Sequence, residues 1–264
     1  MKNMHILDLD DISTWYETYN KFVWNDPFGE VIEDALSQEA DDKIQNILVE
    51  LEIRLECVKS REVVLLRNRC KDLLIKNYTH VAAYHACRPT DINLYLSRGI
   101  VPANTEELIQ EAKIIFGNAD NEVDKAVKDI DEFYFDHGRG KIGFFMSRTG
   151  SVEGGYSHYL RYGSELFQSI ANRLGNWAIQ KLANRGTPTV FRCALPISWL
   201  DEFTTFPMAH NYAKVPLQQL LAQLRWPHQE FPICYAFLLT RSVPSEYLLE
   251  AIDMTQLLTE EDRV

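Results

Sequence analysis

The stretch Thr79 to Pro102, THVAAYHACRPTDINLYLSRGIVP, constrains this chain more than any other. Val81, Ala82 and Ala83 suit a buried strand from His80 to Tyr84, and Pro89 and Thr90 interrupt it. Asp91 offers a side-chain cap for a short helix from Asp91 to Ser97, which Gly99 and Pro102 end. The segment therefore delivers Tyr84, His85 and Arg88 to the end of a strand, where polar groups can face a cleft. A strand end alone does not specify the chemistry.

The remaining elements follow from periodicity. Thr14 and Glu17 have capping-box spacing, and Trp15, Tyr19, Phe22 and Val23 recur at helical intervals. That aromatic face either docks on the core or binds a partner. Ile44, Ile47, Leu48, Leu51, Leu55 and Val58 continue a helical stripe, and Val63, Leu66, Cys70 and Leu73 resume it after a break near Lys59 to Arg61. Residues 1–76 thus read as an N-terminal helical region, which would cover the following domain or bind another protein. Residues 77–264 read as the second domain.

Within that domain Asn104 opens a helix ending at Gly117, and Val123, Ala126, Val127 and Ile130 mark another. In FYFDHGRGKIGFFMS the loop Asp136 to Lys141 precedes Ile142 to Met146, a short buried strand, and a Gly-rich loop (Arg148, Thr149, Gly150, Gly154, Gly155) follows it. Leu166, Ile170, Leu174, Trp177 and Leu182 then predict one long helix stopped by Gly186. Thr189 to Leu195 and Phe231 to Thr240 are strands, and Pro216 opens a helix between them. Val243 to Leu249 is a turn with a short ordered segment. Short strands separated by helices and long loops, without regular βαβ alternation, indicate an α+β fold.

Composition narrows the function classes. The net charge of −11 over 264 residues does not suit bulk electrostatic coating of nucleic acid, although a local basic rim stays open. Five scattered cysteines, odd in number and without a CxxC pair, argue against a disulfide framework or a zinc site and for a cytoplasmic setting. No apolar run approaches the roughly 18 residues of a membrane span, and no signal-peptide pattern follows Met1. There is no P-loop and no GxGxxG that opens a helix after a strand, and neither GxSxG nor HExxH occurs.

Three segments, in order, carry a resemblance. The strand with YHACR followed by a helix and Gly99-Ile100-Val101-Pro102 resembles the opening of the ADP-ribosyltransferase superfamily, in the direction of PARP- or DarT-like enzymes of bacterial toxin type. GRGKIGFFMS before a Tyr-rich helix start is similar to that family's second motif. Gln229-Glu230 before FPICYAFLLT, then Val243-Pro244-Ser245-Glu246-Tyr247-Leu248, is similar to its third. Together they cover roughly residues 78 to 250 and imply a split β-sheet core behind the helical region.

The resemblance implies a mono-ADP-ribosyltransferase with NAD+ as co-substrate and no metal. Glu230 would be the catalytic carboxylate, opposite the positive charge that develops on the ribose. His85 would hydrogen-bond the adenosine ribose, Arg88 would lie near the diphosphate, and backbone groups beside His85, with Tyr84 and Ala86 in the same strand, would hold the carboxamide. Tyr159 or Tyr162 would stack on nicotinamide, with Tyr156 also within the motif. Phe144 stands where the family has a strand tyrosine, and Glu165 and Glu246 compete with Glu230 as acids in motif space.

Each residue also has an ordinary reading: His85 as a core histidine, Arg88 and Glu230 as surface groups, the tyrosines as packing. His137, Arg139 and Lys141 read as a solvated turn or as a basic rim meeting a phosphate. The implied partners are a macromolecular acceptor, nucleic acid or protein, and an antitoxin or inhibitor protein binding the helical region or the active site. The implied context is a bacterial toxin or anti-phage effector in the cytoplasm, without a membrane. Two alternatives remain: transfer of an RNA 2′-phosphate to NAD+, and a non-catalytic interaction protein with a degenerate transferase domain.

Overall fold

The computed structural model describes residues 4–25, 61–102, 104–117, 120–130, 140–152, 157–204, 208–225 and 235–258. In chain order the first elements are β1 (Ile6–Leu7), α1 (Tyr16–Asn25), α2 (Arg61–Asn77), β2 (His80–Cys87), α3 (Ile92–Arg98), α4 (Thr105–Phe116) and α5 (Asp120–Lys128). There follow β3 (Ile142–Phe145), α6 (Arg148–Val152), α7 (His158–Tyr162), α8 (Glu165–Leu174) and α9 (Asn176–Ala183). The last are β4 (Thr189–Pro196), α10 (Trp199–Glu202), α11 (Met208–Arg225), β5 (Ala236–Leu239) and β6 (Leu248–Asp253). The fold is mixed α/β around an open six-stranded sheet of order β5-β3-β2-β4-β6, with β1 beside β2. The pairs β2–β3, β3–β5 and β4–β6 are antiparallel, and β1–β2 is parallel.

The chain divides into two compact units. The first gathers residues 1–82, 196–202 and 206–233. In it α2 lies along α11, burying Leu66, Cys70 and Leu74 of the one and Tyr212, Ala213, Leu217 and Leu220 of the other. The hydroxyl of Tyr212 donates to the carbonyl of Ala82 at 3.0 Å, which fixes α11 to the start of β2. Pro216 lies inside α11, whose first residue is Met208, rather than opening the helix. The apolar residues on both sides of the proline bury together, and that packing carries the helix across a residue that removes one ladder hydrogen bond. Thr14 is not half of a capping box. Its hydroxyl bonds the backbone of Asp8 and Asp11, closing a 3-10 turn at Ile12–Thr14 that precedes α1.

The second unit comprises residues 83–195, 203–205 and 234–264. Its helical core joins Ala112, Ile115 and Phe116 of α4 with Val123 and Ala126 of α5, Phe167, Ile170 and Ala171 of α8, and Ala178 and Leu182 of α9. Asp91 and Asn104 cap α3 and α4, each accepting from the backbone N–H two residues on, as their positions before apolar-periodic runs predict. The single long helix expected before Gly186 is three helices. Gly163, with φ +86°, and Gly175, with φ +100°, leave the right-handed region and break it, and the Ser164 hydroxyl caps α8 by accepting from the N–H of Phe167 at 3.1 Å.

Two glycines are required by close approach as well as by φ. Gly99 (φ +83°) sits against the backbone of 243–245, where Ile100 and Val243 exchange hydrogen bonds of 2.9 and 2.8 Å. Gly186 (φ +67°) would place a Cβ 2.5 Å from the carbonyl oxygen of Pro89. Gly175 has only its φ to satisfy, with nothing within 4 Å of an added Cβ. Gly186→Ala is therefore expected to lower stability by about 2 kcal/mol or more, and Gly175→Ala by only about 1 kcal/mol. Urea unfolding of the two variants measures the difference, and equal losses would remove the steric argument.

Candidate active site

The site is built in the second unit on the last residues of β2. Tyr84 stands opposite Phe145 of β3, so the next pair along the antiparallel strands is His85 with Phe144. Opposite residues share a face and successive residues alternate, which sorts the side chains. His85, Phe144 and Phe237 of β5 lie on one face, with ring centroids 5.6 Å apart for the first pair and 5.7 Å for the second, which is stacked. Tyr84 and Phe145 lie on the other, where Tyr159 meets Phe145 edge-to-face at 6.1 Å. Ala86 returns to this second face. The pleat sets the rings of His85 and Tyr159 on opposite sides of the strand.

His85 is partly buried and its Nδ1 lies 2.8 Å from the carbonyl oxygen of Gly143. A carbonyl only accepts, so Nδ1 carries the proton and Nε2 presents its lone pair. Burial lowers the imidazole pKa, partly offset by the bond to Gly143. The ring is thus neutral near pH 7, with Nε2 an acceptor that makes no hydrogen bond among the described residues. Phe144, fully buried between His85 and Phe237, forms the floor under this imidazole.

Arg88 occupies a different environment from the open diphosphate contact. Its Nε donates to the carbonyl of Arg185 at 2.6 Å, Nη1 to that of Leu160 at 2.8 Å, and Nη2 to that of Ala183. These carbonyls lie in α7, at the end of α9 and just beyond it, where helix ends favour a cation. Three of the five guanidinium N–H groups make these bonds among the described residues. A Cβ at Gly163 would lie 3.4 Å from that of Arg88, an ordinary contact, so the φ of +86° rather than crowding calls for glycine there.

Beyond Arg88, α7 and α8 present a cluster that the linear motif did not single out. The Tyr159 hydroxyl donates to Oε1 of Glu165 at 2.6 Å, and His158 Nε2 lies 3.5 Å from the same oxygen. The rings of His158 and Tyr159 lie 4.1 Å apart. Hydrogen bonding from His158, then from Tyr159, holds the Glu165 carboxyl below the usual range against a partial opposing effect of burial. The available signal was Ser164, a cap residue directly after Gly163, which turns Glu165 back toward Tyr159. Tyr162, by contrast, packs against the helical core of α4, α5, α8 and α9.

Burial pushes the thiols of Cys87 and Cys193 far above their ordinary range, with a hydrogen bond to Tyr95 partly opposing this at Cys87. Glu246 is exposed in the 3-10 turn at Ser245–Tyr247. Glu230, Tyr156, His137 and Arg139 lie outside the described residues. Among the described residues no group of three or more His, Cys, Asp or Glu side chains could hold a metal ion, and no helix is long and apolar enough to cross a membrane. In comparisons with known proteins the chain matches no family model, no curated protein and no solved structure.

Two measurements test this geometry. Lysine in place of Arg88 cannot reach three carbonyls, so Arg88→Lys is expected to cost roughly 1–3 kcal/mol in urea unfolding; an unchanged midpoint would mean the three bonds are not made in solution. The neutral His85 contributes stability that is present above the ordinary imidazole range and lost as pH falls through it toward the lowered native value. His80 and His210 are shifted in the same direction. Stability should therefore fall below about pH 6.5, and less steeply in His85→Gln. An identical pH slope in the variant would show that His85 is not held neutral.

Proposed function

We propose that the chain transfers ADP-ribose from NAD+ to a macromolecule. The observation that carries this reading is His85: an imidazole fixed neutral by Gly143, offering Nε2 as an acceptor at the end of a strand, suits a ribose hydroxyl. The meeting of Gly99-Ile100 with Val243-Pro244 adds support, since two of the segments that suggested the reading are hydrogen-bonded neighbours. In the reaction the bond between ribose C1′ and the nicotinamide nitrogen breaks, and nicotinamide leaves neutral with the electron pair. An acceptor nucleophile bonds C1′ and releases its proton. Charge builds on the sugar between these events, and Glu230 is the carboxylate assigned to oppose it.

Around that centre His85 holds the adenosine ribose, Arg88 meets the diphosphate, and the backbone at Ala86 takes the carboxamide. Tyr159 or Tyr162 covers the nicotinamide ring. The acceptor is nucleic acid or protein, the setting is the cytoplasm, and the biological role is that of a toxin or anti-phage effector restrained by a partner protein.

Incubation with labelled NAD+ and cell lysate, followed by nuclease or protease, tests the reading. Label should enter macromolecules with release of nicotinamide, and the digestion that removes it names the acceptor class. Glu230→Gln should reduce transfer at least roughly 100-fold. Absence of NAD+ binding by calorimetry would favour a non-catalytic interaction protein, and nicotinamide release only with 2′-phosphorylated RNA would favour phosphotransfer.

A further inference from the structure

We propose that Phe237 is a positioning residue: through Phe144 it holds the imidazole of His85 in the orientation that leaves Nε2 an acceptor. The inference rests on the NAD+ reading of the site and deepens it by naming what keeps His85 ready for a ribose hydroxyl.

The three residues form a ladder across β2, β3 and β5, which are neighbours in the sheet. Phe144 pairs directly with Phe237, and the pairing of Tyr84 with Phe145 makes His85 the next partner of Phe144. Opposite residues share a face, so the three rings stand side by side. The Phe144 ring lies 5.6 Å from that of His85, with planes 52° apart, and 5.7 Å from that of Phe237, with planes only 23° apart. Both phenylalanines are buried. The register that brings Phe237 here is fixed by four consecutive pairs, from Ile142 with Leu239 to Phe145 with Ala236.

The hydrogen bond to Gly143 fixes one atom of the imidazole, Nδ1, and leaves the ring able to pivot about it. Phe144 closes one side of that pivot. In a close-packed interior a phenyl ring keeps its place only while its far side is filled, and Phe237 fills it. Without the Phe237 ring, Phe144 gains space to turn into, and the pivot of His85 opens with it. An imidazole that leaves the Gly143 carbonyl can carry its proton on Nε2, which then donates where it had accepted. Its Nε2 no longer has a fixed direction, and a ligand must order the ring on binding. Burial and the Gly143 bond set the proton affinity of this ring, and burial is the larger of the two. A loosened ring therefore titrates closer to the ordinary imidazole value.

The test uses full-length protein isotopically labelled at its histidine nitrogens. Proton–nitrogen correlation spectra read which ring nitrogen of His85 carries the proton, with its signals assigned from His85→Gln. Wild-type His85 should show a protonated Nδ1 and a bare Nε2. In Phe237→Ala the two signals should move toward the averaged positions of an exchanging imidazole, its titration should rise, and NAD+ should bind roughly 3- to 10-fold more weakly. Phe237→Leu, which refills most of the space, should keep the wild-type spectrum. Phe237→Val, a smaller truncation, should shift the signals in the same direction by less, and it decides the question if the alanine variant does not fold. Leu182→Ala, in the helical core of α4, α5, α8 and α9, should lower stability and leave the His85 signals in place. Unchanged His85 signals in the truncated variants, or the same change in Leu182→Ala, would overturn the proposal while leaving the NAD+ reading intact. A wild-type protein with the ordered imidazole that neither binds NAD+ nor releases nicotinamide overturns that reading, and the spectra of the Phe237 variants still decide whether the ladder holds the ring.

Discussion

Three backbone carbonyls converge on the guanidinium of Arg88, and the arrangement at the end of β2 depends on that convergence. Helix ends leave carbonyls without intrahelical partners, and a half-buried one that loses water without gaining a donor costs about 1–3 kcal/mol. Arginine answers three at once because its donors form a rigid fork. The approach also needs glycine at 186, where a Cβ would lie 2.5 Å from the Pro89 carbonyl oxygen, and at 163, where the φ of +86° disfavours a side chain. One cation and two glycines thus set α7 and α9 against the strand that carries His85. The helix that carries Tyr159 takes its place from the same interaction.

Much of the second unit's local structure was legible because it is written in neighbouring residues. Asp91, Asn104, Gly99 and Gly117 mark helix ends by their own chemistry, and the alternation to short apolar runs marks β2 to β4. What was not legible depends on residues distant in the chain. The stripe from Leu166 to Leu182 has one apparent period, yet Gly163 and Gly175 divide the run around it into segments that pack on α4 and α5. Pro216 reads as a helix start, yet burial beside α2 carries the helix through it. A contact unit assembled from residues 1–82, 196–202 and 206–233 has no contiguous signature.

The site divides in the same way. Sequence placed His85 and Arg88 at a strand end, but only the fold supplies the Gly143 carbonyl that sets the imidazole tautomer and the three carbonyls that occupy most of Arg88. Motif spacing treated Tyr159 and Tyr162 alike, and both are partly buried: Tyr162 packs against the helical core, and the ring of Tyr159 meets Phe145. Glu165 was weighed only as a competing acid; its bond to Tyr159 was hidden because that partner precedes it across a helix break.

The alternation at β2 also limits how a ligand can use these groups together. Nε2 of His85 serves the face of Phe144 and Phe237, while Ala86 and Tyr159 serve the face of Phe145. A small planar molecule lying on one side of the sheet reaches only one set. A dinucleotide has two ribosyl halves joined by a flexible diphosphate, so it can place one half on each side by crossing the end of the strand. Arg88, three residues beyond His85 and just after the last residue of β2, stands where that crossing would occur. Under the NAD+ reading proposed above, the separation of His85 from Tyr159 requires the ligand to reach both faces by that crossing.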